Sequence, residues 1–177
     1  MQRDRLHIYV PSGEEPDLVE GDPCVVHFPV DETDAIHRGD FLWLDGDDLD
    51  ATVRPASELC LHFGRPYTWR ELQRRFAALF AGIACAPSPV GECEWIPVAT
   101  AGVYRVPSDA GRAMPGSLVG MAISPDGTIL RNQQVQLVAA EDRAIGRVRL
   151  LNPTRDARLA VRIDSQVMRR VSHEEAA

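Results

Sequence analysis

Residues 96–168 constrain the fold most, because they read as short apolar runs separated by turn residues at a nearly regular spacing. Candidate strands fall at about 94–99, 102–106, 117–123, 135–139, 144–151 and 158–163. The separators between them carry the Gly, Pro, Asn, Asp and Ser residues that turns use, as in Ser108-Asp109, Ser124-Pro125-Asp126-Gly127 and Asn152-Pro153. The segments around Arg147 and Arg158 alternate arginine with apolar residues at period two, the mark of a sheet with one wet face. Many short strands at even spacing suggest a barrel or sandwich. The expected fold is therefore mainly β, a small β-barrel or sandwich with one inserted amphipathic α-helix and an N-terminal arm and strand region.

That helix is expected near the middle of the chain. Thr68 is a good N-cap, and Glu71 three residues on completes a capping box. Trp69, Leu72, Phe76, Leu79, Phe80 and Ile83 recur with helical period, so the helix is expected to run on to Gly82 or to the Pro87–Pro89 cluster. Upstream, strands are expected at about 5–10, 24–28 and 41–44, with Pro23 and Pro29 bracketing the second. The chain divides on this reading into an acidic arm and strand region at 1–60, a helical insertion at 61–92, a C-terminal β-barrel at 93–168 and a polar tail at 169–177.

Charge is divided along the chain. The 177 residues contain no lysine; residues 1–60 hold 15 carboxylates against 4 arginines, and the remainder holds 11 against 15. An acidic first third argues against a nucleic-acid-binding role and permits contacts between oppositely charged surfaces. The helix carries Arg70, Arg74 and Arg75, but no second helix at turn-helix spacing accompanies it. No run approaches the ~20 apolar residues needed to span a bilayer, and the start of the chain has no signal-peptide core. The expectation is a protein made in a reducing cytosol with Cys24, Cys60, Cys85 and Cys93 as free thiols.

Reactive groups do not assemble into a motif. Cys60 and His62, or Cys85 and Cys93, are the nearest metal-ligand pairs, and neither has a second pair at zinc spacing. Asp45, Asp47, Asp48 and Asp50 fail the calcium-loop pattern, since Gly46 falls at its second position and no glutamate at its twelfth. No serine lies in a nucleophile elbow, His7, His27, His37, His62 and His173 are scattered, and the Gly116–Gly120 segment is too apolar for a phosphate cradle. Catalytic, cofactor and metal residues are accordingly expected to be none. Trp43, Tyr67, Trp69, Arg70 and Arg74 remain as candidate interface anchors, with Phe63 a further sparse aromatic; aromatic and arginine side chains dominate interface energetics.

Several segments also carry a resemblance. The Pro97–Tyr104 opening, the Gly116-Ser-Leu-Val-Gly120 strand, Leu130-Arg-Asn-Gln-Gln-Val135, Ala144-Ile-Gly-Arg-Val148 and the closing Val161–Ser165 strand resemble the C-terminal domain of tailed-phage head-decoration (capsid cement) proteins and their prophage relatives. The helix with Phe76 and Phe80–Ala84, followed by Gly91, is similar to the region preceding that domain, and about 100 residues are covered. The resemblance implies a non-enzymatic, cofactor-free virion protein on the outer capsid surface, often a homotrimer, whose partners are the major capsid protein and itself, with no nucleic acid and no membrane. A head-fibre base, tail or baseplate binding module is the alternative; a hydrolase or metal enzyme is the third.

Overall fold

A computed structural model describes residues 17–46, 51–62, 67–91, 95–109, 113–150 and 157–166. The strand expected at 5–10, most of the Asp45–Asp50 acidic loop, Phe63, Cys93 and the tail at 169–177 lie outside these residues. The described chain is mostly strand and forms a nearly closed, eight-stranded antiparallel barrel with two short helices, as expected from the turn spacing. Its strands are β1 (Asp17–Pro29), β2 (Phe41–Asp45), β3 (Thr52–Pro55), β4 (Phe80–Ala84), β5 (Trp95–Pro107), β6 (Leu118–Ile123), β7 (Leu130–Leu137), β8 (Gly146–Leu150) and β9 (Arg158–Asp164). The helices are α1 (Leu59–His62) and α2 (Trp69–Leu79), with 3-10 turns at Ala56–Glu58 and Glu141–Arg143.

Strand order is β3-β2-β4-β5-β9-β8-β6-β7, with β1 paired antiparallel to β5 beside this path. One sheet thus runs through strands on both sides of the helix, so β2, β3 and β4 belong to the same barrel as β5–β9. The two expected strands at 94–99 and 102–106 are one 13-residue strand, β5, which β1, β4 and β9 all use as a partner. Between the ends of the path, side chains close the seam. Asn132 Oδ1 accepts from the Ser57 backbone N–H at 2.7 Å, and Gln133 Nε2 donates to Asp40 Oδ1 at 2.9 Å and to the Arg38 carbonyl at 3.2 Å. Asp40 is fully buried; burial raises its pKa, and the His37 N–H and the Gln133 amide oppose that rise.

Two cores hold this arrangement. The larger gathers Phe41, Trp43, Phe76, Phe80, Met121 and Ile145 with the inward residues of β5, β8 and β9. A smaller one lies on the opposite face of β2 and β4, where Leu42, Ala81 and Ala84 meet Val30, Ile36, Ile96 and Val98. Phe41–Trp43 of β2, all of β4 and Val98–Thr100 of β5 are therefore buried on both faces, which erases the alternation a half-wet strand shows.

This explains a correction. The helix starts as expected, with Thr68 Oγ1 accepting from the Glu71 N–H at 3.3 Å and Glu71 Oε2 accepting from the Thr68 N–H at 2.8 Å. It ends at Leu79, short of Gly82, and Phe80–Ala84 is strand β4 rather than helix. Phe80 and Ile83 are buried in the same core as Phe76, so they fit the helical stripe in sequence while belonging to the sheet. Gly82 has φ +149°, and a Cβ there would lie 2.2 Å from the Ala99 carbonyl oxygen, so the β4–β5 approach needs glycine. Strand β3 and the early start of β7 at Leu130 were not expected.

Candidate interaction surface

Helix α2 buries Leu72, Gln73, Phe76 and Ala77 and leaves the opposite face in solvent. Gln73 fixes its height on the barrel: the side-chain amide donates to the Met121 carbonyl at 2.7 Å, and its oxygen accepts from Arg143 at 3.5 Å. The 3-10 turn carrying Arg143 is thereby held alongside the helix.

Four of the five candidate anchors lie on or just before α2, where Trp69, Arg70 and Arg74 are exposed and Tyr67 is half-buried. Trp69 is 38% exposed, with the Arg70 guanidinium 5.0 Å and the Arg143 guanidinium 5.6 Å from its ring centroid. Arg75 lies 4.7 Å over the half-buried Tyr67 ring, and Arg74 Nε donates to Asp142 Oδ2 at 2.7 Å. Cation–π contacts at exposed sites are worth roughly 0.5–1 kcal/mol each and hold long arginines in place ahead of any partner. Beside Trp69 is an open hollow of about 230 Å³ lined by Trp69, Ile123 and Gln136. Glu71 at the helix start is held below the usual carboxylate range, first by the Thr68 backbone N–H and hydroxyl and then by Arg74 and Arg75.

Trp43 is the exception. It is 1% exposed, packs in the larger core and donates its indole N–H to the Pro55 carbonyl at 3.1 Å, so it is a core residue and not a surface anchor. The reason is that Phe41–Trp43 of β2 is enclosed on both faces.

The sequence reading missed Arg143, Ile123 and Gln136, which stand beside Trp69 because α2 packs on β6 and on the 3-10 turn. It also missed Trp95, which is 65% exposed. In the β1–β5 register Trp95 faces Pro29 and Pro97 faces His27, while Ile96 and Val98 turn into the smaller core opposite Phe28 and Val26. Period-two alternation along Trp95-Ile96-Pro97-Val98 was the signal that could have found it.

Polar chemistry is concentrated at the β2–β3 end. Arg54 on β3 donates Nε to Asp34 Oδ2 at 2.6 Å and a terminal nitrogen to Asp34 Oδ1 at 3.1 Å, a bidentate pair, and reaches Asp45 at 3.2 Å. Burial works against its charge, and the hydrogen bonds and charge of Asp34, with Asp45, outweigh burial and raise its pKa. His62 Nδ1 lies 3.3 Å from Asp45 and 3.2 Å from Arg54, so a guanidinium stands where a cation would have to sit. Burial pushes the Cys60 thiol up, with Glu58 adding to it, and burial likewise raises Cys85, the reverse of a thiolate nucleophile's environment. Among the described residues no three His, Cys, Asp or Glu side chains converge on a metal-binding point.

No protein-family model matches the chain, and no curated protein matches it significantly. Among solved structures it is similar to the N-terminal base of the head fiber gp8.5 of bacteriophage phi29, with a TM-score of 0.45 and 10% identity over 80% of this chain and 95% of that one. At that level the likeness carries no weight about what this chain does.

Proposed function

We propose that this chain is a structural virion protein that decorates and stabilises a phage capsid by bridging major capsid protein subunits on the outer surface. The reading takes the chain as non-enzymatic and self-associating, a homotrimer formed through the barrel, with the N-terminal region reaching the neighbouring capsomer. The observation that carries it is the pairing of a rigid, doubly cored barrel with exposed aromatic anchors, Trp69 and Trp95, standing on regular elements rather than loops. Anchors held on a stiff scaffold lose little entropy on docking, which suits adhesion. The sequence resemblance of residues 96–168 supplies the identity of the partner. A protein that binds an expanded shell and not its precursor stabilises the expanded state by mass action.

The test is to mix the purified chain with expanded and unexpanded shells and measure bound copies by sedimentation. Saturable binding to expanded shells at a lattice-wide copy number is expected. Binding to neither form overturns the proposal, and a few copies per particle assign the chain to a fibre base or tail part instead.

A further inference from the structure

We infer that Trp69, with Arg70 and Arg143 over its ring, is the docking point for an acidic segment of the partner protein. The inference deepens the proposed function, on which it rests for the partner being a protein, by naming the chemistry that partner presents.

Two guanidiniums meet at one exposed indole, Arg70 at 5.0 Å and Arg143 at 5.6 Å from its centroid. Like charges gathered this closely repel unless a carboxylate stands by, and the carboxylates of α2 and the 3-10 turn are committed elsewhere. Asp142 accepts from Arg74 at 2.7 Å, and Glu141 pairs with Arg147. Glu71 accepts from the Thr68 backbone N–H and hydroxyl, and the cations that act on its charge are Arg74 and Arg75. Among the described residues neither Arg70 nor Arg143 has a carboxylate partner. Arg75 lies over Tyr67 and is no part of the site.

The site is also held in place. Arg143 is half-buried and donates to Gln73, which is itself anchored on the Met121 carbonyl, while Arg70 stands on the first turn of α2. A guanidinium over an aromatic face keeps its N–H edge for a ligand, and that edge matches a carboxylate bidentately. The open hollow beside the indole, lined by Trp69, Ile123 and Gln136, puts apolar carbon and one amide next to the charges. An extended segment presents alternate side chains on one face at roughly 7 Å spacing. Carboxylates at two such positions and an aliphatic residue at the next supply both guanidiniums and fill the hollow. A nucleic-acid backbone supplies the charges but nothing aliphatic, and as a long polyanion it meets the chain's net charge of −7.

Isothermal titration calorimetry of the full chain with a synthetic peptide tests the site. The peptide carries glutamates at two alternate positions and valine at the next, with both ends blocked; a control peptide has glutamine for each glutamate. Saturable binding of the acidic peptide is expected, with the control about tenfold weaker. Arg70→Gln with Arg143→Gln should weaken the acidic peptide by about tenfold, and Arg70→Gln alone, a change at an exposed residue, by about threefold. No binding of the acidic peptide, binding that survives the double variant, or equally tight binding of a single-stranded oligonucleotide of the same charge overturns the inference. Sedimentation with expanded shells separates this from the proposed function. The double variant should lose shell binding, and one that holds shells as wild type does also overturns the inference. A wild-type chain that binds shells but not the peptide keeps the proposed function and loses this site.

Discussion

Replacing Arg54 by methionine should destabilise the barrel, because it strands a buried carboxylate. Asp34 is 1% exposed and Arg54 11%, and the guanidinium supplies hydrogen bonds to both Asp34 oxygens and a third to Asp45. Removing one partner of a buried pair costs about 3–5 kcal/mol, most of it the desolvated charge left behind. The slight exposure on the Arg54 side lets water in once the guanidinium is gone, which puts the expectation at the lower end, about 3 kcal/mol. Urea unfolding followed by tryptophan fluorescence reads the change; with an m-value of about 1–3 kcal/mol/M the midpoint should fall by about 1–3 M. Asp34→Asn in the Arg54→Met background should recover part of the loss, giving a coupling of about 1–3 kcal/mol in a double-mutant cycle. A loss below about 1 kcal/mol for Arg54→Met with no coupling would show that the pair is screened like a surface salt bridge and refute the reasoning.

Other outcomes follow from the same structure. Gly82→Ala should cost about 3 kcal/mol in thermal or urea unfolding, since its Cβ would stand 2.2 Å from the Ala99 carbonyl oxygen, whereas Gly116→Ala, with open space around it and φ +87°, should cost only about 1 kcal/mol. Thr68→Ala removes one arm of the capping box and should lower stability by about 1 kcal/mol, measured the same way. Burial, with a smaller contribution from Cys85, pushes Tyr104 up to about 12. Its neutral form is favoured in the fold, so that stability is intact below the ordinary tyrosine value near 10 and is lost as pH rises toward about 12. Phenolate absorbance should show Tyr104 titrating late and together with unfolding; Tyr104 titrating near 10 in a folded chain would contradict this.

The barrel was legible where a strand keeps one wet face. Arg147 and Arg162 point out while Val148, Val161 and Ile163 point in, and period two registers that directly. It was not legible in β4, because Phe80, Ala81, Ile83 and Ala84 are all buried and their spacing from Trp69 happens to match a helix. The switch at Leu79 depends on pairing with β2 and β5, partners that local pattern cannot see. Of the candidate surface, the α2 residues were readable from the capping box and the period. Arg143 and Ile123 join them only through tertiary packing. Trp43 was misplaced for the same cause as β4: a short aromatic strand enclosed on both faces looks like a surface hot spot in a chain with few aromatics. Trp95 erred in the other direction, because it heads an apolar run and its exposure is set by the register with β1.

The most direct test of the account is whether this chain is part of a virion, with its copy number and position measured by electron cryomicroscopy and mass spectrometry of purified particles. The account predicts density on the outer shell at a number set by the capsid lattice, as closed groups of copies between capsomers. Absence from the virion, with the chain found free and turning over a small molecule, would contradict it.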